Sequence, residues 1–141
     1  LIKAAKMILL PEVTEETRAF WTGGLKGELL IMACDACNHR IHPPQLVCPK
    51  CLSNNVTPIQ SSGRGRIYSY TVNHQKWSPD METPYVIAVI DLDDQPGVRL
   101  TATIRGCPVD DVFIGAAVMA DFQKFDEVAV PFFRLSNDAS T

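Results

Sequence analysis

Cys34-Asp-Ala-Cys37 and Cys48-Pro-Lys-Cys51 are two C-x-x-C pairs with ten residues between them. A two-residue gap lets both thiolates of a pair, with the backbone N–H groups of the turn, face one ion. Four such sulfurs read as one metal site, and zinc is the expected metal. Zinc is tetrahedral, so four thiolates leave no open position for water or substrate, and the site reads as structural. Pro49 suits the tight turn of the second pair. His39 and His42 are ligand types in the connecting loop, but the cysteines already fill the shell, so they read as loop histidines. Two disulfides, or iron in the same cage, are the competing readings.

The totals frame this site. The chain has 141 residues, enough for one ordinary domain or a small module beside a modest one. It is 46% hydrophobic and 21% charged, a globular composition. The formal net charge is −3, and a divalent ion on four thiolates adds a further −2, giving −5. That balance argues against a protein that wraps a nucleic-acid backbone, which needs a basic face. No apolar run reaches membrane-span length. Residues 7–10 form a short apolar run without a secretory layout. With the C-x-x-C pairs, the expectation is a reducing, cytoplasmic setting. Cys107, the odd cysteine, reads as a small apolar side chain beside Pro108.

Outward from the cysteines, the chain divides into four stretches. Residues 1–25 are an apolar arm and a short helix. Thr14 is the expected N-cap, Glu15 and Glu16 fall in the first turn, and Gly23-Gly24 end the helix after Phe20 and Trp21. Residues 26–61 are the ribbon, with strands expected over 27–33 and 54–60 flanking the knuckles. Residues 62–136 read as all-β, and 137–141 as a loose polar tail. In the third stretch, residues 67–73 alternate, with Ile67, Ser69, Thr71 and Asn73 on one face and Tyr68, Tyr70 and Val72 on the other. Residues 85–92 are almost continuously apolar and β-branched, the pattern of a buried strand. Further strands are expected over 98–104, 117–125 and 128–135, the last interrupted at Pro131. Five short strands with turn punctuation suit a small Greek-key barrel of the OB type. The fold class is therefore mainly β: an N-terminal helix, a four-cysteine zinc ribbon and a five-stranded OB barrel.

No catalytic set stands out. The acids mostly sit at turns, and His74, a potential general base, has no paired nucleophile in the pattern. Ser62, Gly63, Arg64, Gly65 and Arg66 form a turn cluster at the ribbon–barrel boundary. Glycines beside arginines suit phosphate, and a plain flexible link is the competing reading. Trp77, in a polar loop with Pro79 and Pro84, marks either a contact surface or a loop-covering aromatic.

At this point the chain resembles a known family: OB-fold proteins with an N-terminal helix and a rubredoxin-like zinc ribbon, companions of thiolases and related acyl-CoA enzymes. The resemblance runs from about residue 14 to residue 134. It rests on Phe20-Trp21-x-Gly23, Gly27-Glu28-Leu29, the two cysteine pairs, Pro43-Pro44, Ser62-Gly63-x-Gly65-x-Ile67-Tyr68-Ser69, Pro84-Tyr85, Val89-Ile90-Asp91-Leu92 and Pro131-x-Phe133-Arg134. Asn38 departs from it, standing where a glycine commonly follows the first pair. So does Asn73-His74-Gln75-Lys76 at the end of the first barrel strand.

The resemblance implies an accessory subunit, not catalytic alone, that docks on a thiolase-fold enzyme or a hot-dog hydratase. The two-plus-two hetero-oligomer is the implied stoichiometry. The implied chemistry of the complex is C–C bond cleavage or formation on a CoA ester, as in steroid side-chain or aromatic-compound degradation. Cys34, Cys37, Cys48 and Cys51 carry over as the zinc ligands. Acyl-CoA contact carries over loosely to Ser62, Gly63, Arg64, Gly65 and Arg66. Phe20 and Trp21 on the helix, with Trp77, are the expected partner interface. The alternative is a ribbon-plus-OB module that binds nucleic acid, a frequent use of both folds.

Overall fold

The computed structural model describes residues 10–136. Most of the N-terminal arm and the whole 137–141 tail lie outside the described residues. A short helix, α1 (Arg18–Gly23), leads into a three-stranded sheet: β1 (Leu29–Cys34), β2 (Arg40–Ile41) and β3 (Val56–Ser61). Five further strands close a barrel: β4 (Arg64–Asn73), β5 (Tyr85–Leu92), β6 (Arg99–Ile104), β7 (Ala117–Lys124) and β8 (Ala129–Leu135). The small sheet runs β2-β1-β3 and the barrel β4-β5-β6-β8-β7, the Greek-key order of an OB fold. Among the described residues, no helix is long and apolar enough to cross a membrane.

The helix starts later than Thr14. Thr14 and Thr17 cap a turn between themselves, with Thr14 N–H donating to Thr17 Oγ1 at 3.0 Å and Thr17 N–H to Thr14 O at 3.2 Å. Glu15 and Glu16 lie in that turn, and the helix proper begins after Thr17. Nor does Gly23-Gly24 stop it. The chain tightens into a 3-10 turn over Gly24–Lys26 and ends at Gly27, at φ +77°. Gly24 is there for space: a Cβ on it would run into Phe122 and Ala129 of the barrel. So small a helix is marginal alone. It holds because Phe20 is buried in the same apolar cluster as Ile67, Ile90 and Phe133.

Three barrel strands differ from the sequence expectation. β4 begins three residues early, at Arg64, because Gly65 lies in the sheet between Leu92 of β5 and Val118 of β7. Its alternation resets at Tyr68, where a bulge shifts the register between Ile67 and Ser69. Ile67 therefore shares the core with Tyr70 and Val72, not with Ser69 and Thr71. β5 alternates: Val86, Ala88, Ile90 and Leu92 are buried, while Tyr85, Ile87 and Val89 face outward and are half-covered. β8 runs unbroken through Pro131, which pairs with Phe122. Its contact with β6 is confined to Ile104–Phe133, and a strand with a largely free edge tolerates the missing N–H.

Ribbon and barrel are joined by more than the chain. Leu29 and Ile31 of β1 are buried in the barrel's own cluster. The 93–97 turn reaches back to the ribbon. Its buried Gln95 accepts from Arg40 Nε at 2.7 Å, and Asp94 accepts from Ser61 Oγ at 2.8 Å and Ser62 N–H at 2.7 Å.

At Gly65 a Cβ would sit 2.5 Å from Asp91 O and 2.7 Å from an Ile90 methyl, so the β4–β5 backbones would have to part. Gly65→Ala is expected to destabilise the chain by about 1–3 kcal/mol. Urea unfolding followed by far-UV circular dichroism checks this; an unchanged midpoint would mean the strands yield at no cost.

Candidate metal centre and the surfaces around it

The two knuckles repeat one backbone pattern. In the first, Asn38 N–H donates to Cys34 O at 2.8 Å and Cys34 N–H to His39 O at 2.9 Å. In the second, Leu52 N–H donates to Cys48 O at 2.8 Å and Cys48 N–H to Ser53 O at 2.8 Å. The residue after each pair turns left-handed, Asn38 at φ +66° and Leu52 at φ +67°. Asparagine tolerates that region well, so its place after the first pair is consistent with the turn.

These turns bring all four Sγ atoms within 4.8 Å of one another. Cys34 and Cys51 are 3.6 Å apart, and Cys37 and Cys48 3.7 Å. A disulfide needs about 2.05 Å. A tetrahedral ion with bonds of about 2.3 Å sets its sulfurs about 3.8 Å apart. The spacing is that of a metal cage. The electrostatics agree. Backbone N–H groups of Cys37 and then Ala36 hold the Cys34 thiol below its ordinary value, against burial. Burial would raise Cys48, but the N–H groups of Cys51 and Lys50 outweigh it and bring the thiol down to about 7. Cys51 goes the other way. The Ser53 N–H favours its thiolate, yet the neighbouring sulfurs, Cys34 first, push it up to about 11. Four sulfurs this close cannot all ionise without a cation among them. The donor set fits one structural metal ion.

Neither loop histidine joins the cage. His39 contributes its carbonyl to the first knuckle. His42 packs its ring on Phe20 at 5.1 Å, and its Nδ1 is buried without a hydrogen-bond partner among the described residues. Burial lowers its pKa from the ordinary 6.5 to about 4.

The other expected site residues are scattered by comparison. The backbone of the 62–66 stretch is already engaged: Ser62 N–H goes to Asp94, Gly63 N–H to Ser61 Oγ, and Arg64 N–H to Ser62 Oγ. Asp94 is held below the usual carboxylate range, because these N–H and hydroxyl donors outweigh its burial. Gly63 and Gly65 are buried, so the exposed side chains of this stretch are those of Ser62, Arg64 and Arg66. Phe20 is largely buried within the chain, edge-on to Trp21 at 4.8 Å. Trp21 is half-buried, while Trp77 is 70% exposed. Cys107 packs against the core, where burial raises its thiol. Sequence reasoning missed the clamp from Asp94 and Gln95. Their turn carried no signal beyond its Asp, Pro and Gly content.

Cys48→Ser removes a fully buried ligand. It is expected to abolish stoichiometric metal binding and to unfold the ribbon, since about 10–16 kcal/mol of binding energy is folding energy at such sites. Metal analysis after desalting, paired with a thermal melt, checks this; wild-type melting without metal would contradict it. For His42, the folded pKa lies below the unfolded one, so the unfolded chain takes up the proton first. Stability is complete above pH 6.5 and falls as pH drops towards 4, by up to about 3 kcal/mol. The slope should flatten in His42→Asn. Metal release in acid is common to both proteins, so the difference between their stability–pH curves isolates the histidine. Identical curves would refute the assignment.

With this geometry established, comparison with known proteins is informative. Residues 21–57 match the model of the ChsH2 rubredoxin-like zinc ribbon domain, and residues 59–123 that of the ChsH2 C-terminal OB-fold domain. A probable enoyl-CoA hydratase alpha subunit of Thermomonospora curvata is 37% identical over 82% of this chain. The chain spans only 36% of that protein's length. A DUF35 domain-containing scaffold protein of Methanocaldococcus jannaschii is 36% identical over 70% of each chain. The benzoylsuccinyl-CoA thiolase subunit BbsA of Thauera aromatica is 31% identical over 53% of this chain and 50% of its own. Among solved structures, a chain of the Ltp2-ChsH2(DUF35) aldolase superimposes with a TM-score of 0.78 at 34% identity. The match covers 89% of this chain and 98% of that one. Ribbon and barrel match in the same order, and a solved member is covered nearly end to end: the chain belongs to the ChsH2/DUF35 family.

Proposed function

We propose that this chain is an accessory subunit that docks on a thiolase-fold enzyme acting on a CoA ester. The observation that carries the reading is the match to almost the whole of one chain of the Ltp2-ChsH2(DUF35) aldolase. The likeness to a thiolase subunit and to part of a hydratase alpha subunit supports the same class of complex. In this reading the chain is required by the complex but does not turn over substrate alone. The structural ion is zinc, the metal of the matched ribbon family, and it fixes the two knuckles so that the module is presented rigidly.

The reaction is carbon–carbon bond cleavage or formation beside the thioester, with steroid side-chain or aromatic acids as substrate classes. In this reading the outward side chains of the 62–66 stretch, Arg64 among them, meet the phosphates of CoA. A reducing compartment keeps the thiols available to the metal, so the proposal sets the chain in the cytoplasm, in a two-plus-two assembly.

A tagged chain, pulled down from its host and weighed by native mass spectrometry, is expected to carry one zinc and a thiolase-fold or hydratase subunit. CoA-ester turnover should require both chains. Turnover by the isolated chain would refute the accessory role. A chain that recovers no such subunit, yet binds a fluorescent oligonucleotide at micromolar concentration, would favour the nucleic-acid module.

A further inference from the structure

The proposed function says what the chain docks on but not where the chain is contacted. One surface stands apart. The bulge in β4 turns Tyr68 outward, where it is 50% exposed. Beside it, the turn ahead of β7 is tied to the same strand. Gly115 N–H donates to Ile67 O at 2.7 Å, and Ile67 N–H to Ala116 O at 3.0 Å. That turn presents Phe113 and Ile114, 60% and 65% exposed. Three of the exposed large apolar side chains among the described residues thus gather around one point of β4.

Two arginines border them. The Arg99 guanidinium lies 3.7 Å from the centre of the Tyr68 ring and is bridged to Asp91 at 2.8 Å. Arg66 Nη1 donates to Gly115 O at 3.1 Å, which holds its fork at the patch's edge. The apolar character continues onto β5. Val89 pairs with Ser69, next to Tyr68, and Ile87 and Tyr85 follow on the same outward face. This outward apolar face is why residues 85–92 read as a buried strand. The chain itself leaves it half-covered.

We propose that the Tyr68, Phe113 and Ile114 patch, bordered by Arg66 and Arg99, is where this chain meets its enzyme partner, and that the partner offers an apolar centre flanked by carboxylates. The inference rests on the accessory reading above. Aromatic side chains beside arginine are the composition of interface centres, and an exposed apolar patch rimmed by charge marks an interaction site. Strand pairing and the 113–116 turn fix the patch in advance, so little ordering is needed on binding. The charges describe the partner. The border carries Arg66 and Arg99, the latter bridged to Asp91, on a chain of net charge −3. Arginines at the rim match a partner that brings carboxylates to the same place.

The test uses the metal-loaded full chain and the thiolase-fold or hydratase subunit identified by the pull-down. Dissociation constants are measured for wild type, Tyr68→Ala, Ile114→Ser and Arg66→Glu, with metal content and melting temperature confirming the fold. Tyr68→Ala is expected to weaken binding about thirtyfold, the loss of a central aromatic anchor. Arg66→Glu should weaken it most at low salt, and the deficit should shrink as salt screens the border. If all three folded variants bind within about twofold of wild type, below what an anchor residue contributes, the patch is refuted while the accessory reading stands. If wild type binds no such subunit, both fall. A homodimer that Tyr68→Ala dissolves would give the face to a second copy and overturn the proposal.

Discussion

The two faces of β1 are the constraint on which the rest of this molecule depends. Leu29 and Ile31 point into the barrel's cluster, beside Ile67, Ile90 and Phe133. Met32 and Cys34, on the opposite face, belong to the cluster around Ile41 and Cys48. A strand covered on both sides cannot shift register without exposing one set of side chains and burying gaps in the other. One six-residue strand thus sets the metal cage and the barrel in a fixed relation.

The remaining contacts reinforce that relation. Arg40 reaches from the strand beside β1 to Gln95, and Ser61 at the end of β3 reaches to Asp94. Both acceptors belong to the turn between β5 and β6, so two barrel strands and the ribbon meet there. Gly24 lets the turn after the helix lie directly on Phe122 and Ala129. The helix, ribbon and barrel behave in consequence as one packed body whose knuckles need an ion to hold four crowded sulfurs. Rigidity of this kind is what an accessory chain offers an enzyme, because a surface fixed in advance binds without ordering itself first.

Much of this was legible in the residues. The cysteine spacing announced a cage that the structure closes, with sulfur separations fitting a metal. A continuous β-branched run placed β5 to the residue, and turn punctuation separated all five barrel strands. What failed was local and had physical causes. Thr14 is a good cap, but it closes a turn with Thr17 and the helix starts only after Thr17. Gly23-Gly24 looked like a stop and is a close approach, a tertiary fact that no one-dimensional pattern carries. The bulge at Tyr68 is likewise invisible to a strict two-residue period, and it reverses the faces assigned to half of β4. Most instructive is β5. Its continuous apolar run suggested a buried strand, but the described residues bury only alternate side chains and leave the outward face half-covered. The conspicuous aromatic pair divides: Phe20 packs inside the chain, while Trp21 stays half-exposed.

If the metal sets the knuckles of a module that binds an enzyme, partner affinity must follow zinc titrated into the metal-free chain. Affinity is expected to rise in step with occupancy and to level off at one zinc per chain. Full affinity in the metal-free chain, or a rise that continues after the cage is filled, would contradict it.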